Sequence, residues 1–99
     1  MFTLVVRFKA IKGREKTIEL LMRGVTEKVR QNEKDTLMYD LHRKIGDSTE
    51  LLLYERYTDR SDWEVTHMSK SYIKEMLDEL AKYIEGKPEV EEYEVVGVL

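Results

Sequence analysis

The order of apolar patterns along the chain constrains its fold more than any other feature. Segments rich in β-branched and aromatic residues, the composition of β-strands, occupy 2–10, 36–44, 50–57 and 89–99. Two further segments repeat apolar residues at the three- and four-residue spacing of an amphipathic helix. One lies between the first two strands and the other between the last two. The sequence therefore predicts the element order β-α-β-β-α-β.

The first predicted helix begins after Gly13 and fades between Gln31 and Glu33. Its apolar stripe consists of Ile18, Leu21, Met22, Val25 and Val29. The second begins at Ser61-Asp62-Trp63-Glu64, which has the form of a capping box. It is expected to break near Ser69 and to restart near Ser71. The second stripe consists of Tyr72, Ile73, Met76, Leu77, Leu80 and Ile84, and Gly86 with Pro88 is expected to end it.

The segment Ile45-Gly46-Asp47-Ser48 has turn chemistry and predicts an antiparallel hairpin between the second and third strands. Together these elements predict an α+β, ferredoxin-like βαββαβ fold, an antiparallel sheet with both helices on one face. The other face carries either the Phe2 side or the Val5 side of the first strand. We expect that face to be too apolar to remain exposed to solvent, which predicts a two-fold homodimer packed sheet against sheet.

Length and charge narrow the function classes. The chain of 99 residues is expected to form a single domain, 1–99. A formal charge of −3 and a pI near 5.5 give no electrostatic reason to expect a nucleic acid or an anionic membrane as partner. No apolar run approaches the ~20 residues of a membrane span, and the run from Met1 to Val6 is too short for a signal-peptide core. The default expectation is a soluble cytoplasmic protein.

Several kinds of site have no support in the sequence. The absence of cysteine excludes disulfides, thiolate zinc sites and Cys nucleophiles. His42 and His67 are far apart and have no neighbour at metal-ligand spacing, so no metal site is expected. The five glycines occur singly, which gives no phosphate-binding loop.

His67 is the sharpest candidate for chemistry. An imidazole with an ordinary pKa of ~6.5 can take or give a proton at neutral pH. It follows Trp63 by one helical turn, so the two rings can share a face. The alternative is a structural histidine that hydrogen-bonds the helix break near Ser69.

Aromatic residues are numerous for so short a chain and include Tyr39, Tyr54, Tyr57, Trp63 and Tyr72. Clustered, they would form a mostly apolar pocket for a planar organic ligand, although ordinary core packing explains them as well. Glu55 shares the apolar strand face of Leu53 and Tyr57. If buried it needs a partner, which Arg7, Arg43 or a histidine could supply. A position at the sheet rim is the alternative.

The stretch LLLYERYTDRSDWEVTHMSKSYIKEML, residues 51–77, resembles the antibiotic biosynthesis monooxygenase domain family. The family pattern runs from a strand ending in Glu, one residue and Trp or Tyr, through an Asp-containing turn, to a helical His and an aromatic. The residues at those positions are Glu55, Tyr57, Asp59, His67 and Tyr72, and MYDLHRK resembles the family's second strand, which places Tyr39. The resemblance covers the whole chain in element order. Departures are Asp35-Thr36 in place of a Pro-Gly pair, and a slightly longer spacing from Tyr57 to His67.

The resemblance implies a homodimer whose sheets form a shared α/β-barrel, with a pocket between the sheet and helices of each subunit. It also implies an oxidoreductase that uses O₂ to oxidise a quinol-like or other electron-rich aromatic compound without cofactor or metal. His67 would be the proton acceptor or relay, and Trp63, Tyr72, Tyr39, Tyr57 and Glu55 would bind the substrate. Two alternatives remain open at this stage. One is a non-catalytic small-molecule binding protein, and the other is an isomerase that uses the same pocket.

Overall fold

The predicted strands and helices are all present in the computed structural model, which describes every residue from Met1 to Leu99. The strands are β1 (Phe2–Ala10), β2 (Thr36–Lys44), β3 (Asp47–Tyr57) and β4 (Ile84–Glu94), and the helices are α1 (Glu15–Asn32) and α2 (Ser71–Leu80). A π-helical turn, Asp62–Thr66, and a 3₁₀ turn, His67–Ser69, precede α2. No helix is long and apolar enough to cross a membrane.

The sheet has the order β2-β3-β1-β4, and every neighbouring pair is antiparallel. Both helices pack on one face, so the ferredoxin-like α+β fold is confirmed. Because cross-strand partners share a face, the pairing of Glu55 with both Leu4 and Tyr39 sets these three side chains on the helix-covered side. The centre of the sheet therefore presents a carboxylate to the layer between sheet and helices.

The core lies between the Phe8 side of β1, the Leu51 side of β3 and the apolar stripes of the helices. In α1 the buried members of the predicted stripe are Ile18, Met22, Val25 and Val29, and in α2 they are Ile73, Met76 and Leu80. Within each stripe a buried residue recurs every three to four positions, as one buried face of a helix requires.

Two local predictions were wrong. Ser61 and Glu64 do not form a capping box, because the Ser61 hydroxyl donates to Asp59 Oδ1 and Glu64 pairs with Arg60. The Asp59 carboxylate instead accepts the backbone N–H groups of Ser61 and Asp62. A carboxylate at this position satisfies the exposed donors of a helical start as well as a capping box does.

The end of the second helix and the start of the last strand also differ from expectation. α2 ends at Leu80 rather than at Gly86, and Ile84 belongs to β4, where it pairs with Ala10. Between the pairs Arg7–Glu89 and Lys9–Glu85, the residues Gly86 to Pro88 lie opposite a single β1 residue. Gly86 has φ +68°, and a bulge on an edge strand accommodates such a glycine and a proline. These two residues therefore mark a bulge rather than a helix end.

The helix-free face of the sheet carries the Val5 side of β1. Val5 lies opposite Tyr54 on β3 and Glu91 on β4, and Glu91 forms an ion pair with Arg7. This face therefore mixes apolar and charged side chains and is more polar than the sequence led us to expect. The two-fold dimer stays a prediction.

Candidate functional site

His67 points into the protein because a π-helical turn precedes it. Its backbone N–H donates to the carbonyls of Asp62 and Trp63, and the bond to Asp62 spans five residues instead of the four of an α-helix. The imidazole is 2% exposed and lies against two tyrosine rings, with centroid distances of 5.3 Å to Tyr39 and 5.5 Å to Tyr57. The turn thus sets the orientation of His67 relative to Tyr57.

A buried carboxylate that the sequence reasoning missed, Glu33, holds the imidazole in place. Its Oε1 lies 2.6 Å from His67 Nδ1 and accepts the Thr36 hydroxyl at 2.8 Å. Its Oε2 accepts the Tyr72 hydroxyl. A signal was present in the sequence, since position 33 follows Val29 by four residues and so extends the apolar stripe of α1 by one turn.

This arrangement fixes the tautomer of His67. A carboxylate can only accept, so Nδ1 carries the proton and the lone pair of a neutral ring lies on Nε2. Burial lowers the pKa of His67, and the hydrogen bond and charge of Glu33 oppose that shift. The ring is therefore mostly neutral at pH 7, and once protonated it would be stabilised by Glu33. These are the properties of a general base.

Glu55 is the second buried carboxyl of the site, and it is 4% exposed. Its Oε1 accepts the Tyr57 hydroxyl and lies 3.8 Å from His67 Nε2. Burial raises the pKa of Glu55 to about 7; the charge of Glu33 adds to this rise, and the Tyr57 hydroxyl opposes it. Of the expected partners, His67 is the one that lies beside Glu55, which excludes a position at the sheet rim.

The tyrosines around the two carboxyls are neutral phenols. Burial, followed by the charge of Glu55, raises the pKa of Tyr39 and of Tyr57. The pKa of Tyr72 is raised by burial and by its hydrogen bond to Glu33. At neutral pH these groups can donate hydrogen bonds but do not act as bases.

A cavity of about 130 Å³ lies between the sheet and α2 and reaches the imidazole. Of the candidate residues, Tyr39, Glu55, Trp63 and His67 line it. The remaining lining is apolar and includes Leu53, Met76, Leu80 and Val90. An apolar cavity of ~150 Å³ holds one benzene molecule, so the space is comparable to a single aromatic ring.

Tyr57 and Tyr72 do not line this cavity, although the sequence singled them out as substrate-binding. Each instead donates its hydroxyl to a buried carboxyl, Tyr57 to Glu55 and Tyr72 to Glu33. Trp63 closes one side of the cavity, with its ring stacked on Phe2 at 5.6 Å and the Arg60 guanidinium 5.5 Å from its centroid. Tyr39 and Trp63 thus line the cavity, whereas Tyr57 and Tyr72 hold the two buried carboxyls in place.

Comparisons with known proteins agree with this architecture. A candidate antibiotic biosynthesis monooxygenase from Caulobacter crescentus superposes with a TM-score of 0.90 at 21% identity, covering 97% of this chain and 90% of that one. One from Nitrosomonas europaea gives 0.88 at 18% identity, over 98% and 100%. A Mycobacterium tuberculosis protein gives 0.86 at 18% identity, over 98% and 96%. No protein with curated annotation shows significant sequence similarity.

At these identities the solved structures establish the fold alone. Membership follows from the sequence model of the family described as antibiotic biosynthesis monooxygenase, which matches residues 1–79. The matched range includes both buried carboxyls, His67 and all of β1, β2 and β3. The chain belongs to the antibiotic biosynthesis monooxygenase family.

Proposed function

We propose that the protein is a cofactor-independent monooxygenase that oxidises a small quinol-like or other electron-rich aromatic compound with O₂, with His67 as the base. One observation carries the proposal. A neutral imidazole lines an apolar cavity of ring size, and Glu33 holds its Nδ1, which leaves Nε2 as the nitrogen that can accept a proton. A phenolic hydroxyl in that cavity could reach Nε2, and the surrounding apolar side chains would exclude water.

The chemistry starts with proton transfer. His67 Nε2 takes the phenolic proton, and Glu33 stabilises the imidazolium that results. The phenolate, which is a far better reductant than the phenol, passes one electron to O₂, and the resulting radical pair forms a carbon–oxygen bond. The substrate hydroperoxide then loses water. One oxygen atom enters the product as a quinone carbonyl and the other leaves as water, so phenol and O₂ give quinone and water.

The other lining groups would orient the ring. Tyr39 and Trp63 present aromatic surface on which a planar ligand can stack. Tyr57 and Tyr72 would act through the carboxyls that they hydrogen-bond rather than by touching the ligand. This division of roles refines the candidate binding set, in which all four aromatic residues contact the substrate.

The test is O₂ consumption with a panel of substituted hydroquinones and phenols. His67→Gln should reduce kcat/KM at least about 100-fold, the range expected for loss of a general base. His42→Ala is the matched control, because His42 is the other histidine and lies exposed on β2. Circular dichroism and thermal melting establish that each variant is folded. Undiminished turnover by folded His67→Gln would refute the assigned role, and ¹⁸O₂ should add one labelled atom to the product.

A second candidate is an isomerase that moves a proton between two positions of an enolisable substrate. It is favoured by the juxtaposition of His67 Nε2 and the Glu55 carboxyl, a base and a potential acid that line the same cavity. A product with unchanged mass and no O₂ uptake would select it. Saturable ligand binding without any turnover would instead select a non-catalytic binding protein.

Assembly as a homodimer belongs to the same proposal. Support comes from the half-buried Tyr54 on the helix-free face, and from the exposed apolar residues Val96, Val98 and Leu99 after β4. Light scattering coupled to size exclusion should give twice the 11.8 kDa mass of the chain. A mass of one chain at micromolar concentration would refute it.

A further inference from the structure

We infer that Glu55 is the proton donor of this site and supplies the proton that converts the oxygen adduct of the substrate to its hydroperoxide. The inference rests on the proposed function and adds a second reacting group to it. His67 would take the proton from the phenol, and Glu55 would return one to the oxygen that came from O₂.

The two buried carboxyls differ in their surroundings. Glu33 accepts three hydrogen bonds, from His67, Thr36 and Tyr72. The carboxyl of Glu55 accepts a single hydrogen bond, from Tyr57. When two carboxyls share a poorly solvated region, the one that accepts fewer hydrogen bonds takes the proton. That carboxyl is Glu55.

The position of Glu55 suits delivery to a ligand. It lines the cavity together with His67, whereas Glu33 does not line that cavity and lies on the Nδ1 side of the imidazole, at an outer cleft with Thr36 and Thr66. Register sets Glu55 between Leu4 on β1 and Tyr39 on β2, which also line the cavity, so its carboxyl lies on the cavity floor beside His67. A ring bound in the cavity would contact the acid from one direction and the base from another.

The ionisable groups around Glu55 are consistent with a proton held there. They are Tyr57 on its own strand, Tyr39 on β2, His67, and Glu33 at the end of α1. Burial raises the pKa of Glu55 to about 7, with the charge of Glu33 as a further contribution. Both tyrosines have a raised pKa and remain neutral. Near pH 7 a substantial share of the molecules therefore carries a protonated Glu55.

The proton steps balance over one turnover. The O–H bond of the phenol breaks and an N–H bond forms at His67. After O₂ has bonded to the ring, the O–H bond of Glu55 breaks as that of the hydroperoxide forms. The imidazolium then returns its proton to Glu55 across the 3.8 Å between Nε2 and Oε1, a gap that a small carboxyl rotation closes. Finally, the ring C–H proton passes through His67 to the departing hydroxide, giving water.

The first experiment does not depend on turnover. Infrared difference spectra of the wild-type protein, recorded from pH 5 to 9, should show a protonated-carboxyl stretch that disappears with a midpoint near pH 7. Glu55→Gln should lack that band, and Glu27→Gln, which removes an exposed carboxylate of α1, should keep it. A wild-type protein without the band at pH 6, or a Glu55→Gln variant that keeps it, would overturn the inference.

The second experiment measures kcat for O₂ uptake against pH. The wild-type rate should fall above pH 7 as Glu55 loses its proton, and Glu55→Gln should be slower at least about 100-fold and lose that alkaline limb. An unchanged rate and limb in folded Glu55→Gln, with His67→Gln inactive, would overturn the inference and leave the proposed function standing. If no compound is turned over, the proposed function fails, and the infrared band still decides whether Glu55 holds the proton.

Discussion

Replacing Glu33 with Gln should weaken the contacts that hold His67 in place without altering the residues that line the cavity. The substitution keeps the size of the side chain and removes its negative charge. His67 and Tyr72 both donate to this carboxylate, and so does Thr36. An amide has one oxygen in place of two and presents N–H groups to at least one of these donors. One buried donor is therefore left without an acceptor.

Two effects follow. An opposite charge at hydrogen-bond distance favours the charged form of a group. Because Glu33 raises the pKa of His67 against the effect of burial, the variant should have a lower His67 pKa. Hydrogen bonds to a buried charged group contribute about 1.5–3 kcal/mol each. Since the amide can still accept some of the three hydrogen bonds, we expect a loss of roughly 2–4 kcal/mol in the free energy of unfolding.

Proton NMR of the imidazole measures the His67 pKa, and urea denaturation at pH 7.5 measures the free energy of unfolding. Glu27→Gln is the matched control, since Glu27 lies on the same helix and pairs with Arg30 at the surface. An exposed pair of this kind contributes at most about 1 kcal/mol. The reasoning is refuted if Glu33→Gln leaves the His67 pKa unchanged, or if its stability lies within 0.5 kcal/mol of the control.

Other substitutions test the remaining features of the site and fold. Because the pKa of Glu55 is raised from 4.5 to about 7 in the folded protein, wild-type stability relative to Glu55→Gln should fall by roughly 3 kcal/mol as pH rises from 4 to 8, as measured by urea denaturation. Tyr57→Phe removes a hydrogen bond that lowers the pKa of Glu55, so the midpoint of the infrared band should rise above 7. Gly86→Ala should lower the free energy of unfolding by about 1–2 kcal/mol because Gly86 has φ +68°, whereas Gly24→Ala within α1 should raise it by about 0.5–1 kcal/mol.

Each of these has a clear contrary result. A difference between wild type and Glu55→Gln that does not vary with pH would mean that Glu55 titrates alike in the folded and unfolded chain. A lower infrared midpoint in Tyr57→Phe would mean that its hydroxyl does not stabilise the carboxylate. Equal effects of the two glycine substitutions would contradict the strained backbone at Gly86.

The strands with plain alternation could be predicted well. The predicted bounds of β1 and β2 agree with the structure because these segments contain no residue that disrupts a strand. β4 was placed five residues too late, since a glycine and a proline such as Gly86 and Pro88 occur both at helix ends and in bulges of edge strands. Only the pairing of Ile84 with Ala10 distinguishes the two, and it depends on a residue 74 positions away.

The site was predictable in its parts but not in its connections. Local sequence identified His67 and Glu55 because each has an unusual character within its own segment. Glu33 lies 34 residues before His67 and 39 before Tyr72, at a helix end where a polar residue is ordinary. Glu33 is buried because residues distant in sequence pack over it. The only local sign of this burial is the position of Glu33, which continues the apolar stripe from Val29.

The π-helical turn before His67 gives the site an unusual dependence on chain length. Such a turn is equivalent to one residue inserted into an α-helix. Deleting one residue from 62–66 would restore the α-helical period and rotate the residues that follow by about 100°. The imidazole would then leave the cavity, while the extended residue Lys70 could absorb the change before α2. A single-codon deletion could therefore abolish the proposed acid–base chemistry in a protein that keeps its sheet and both helices.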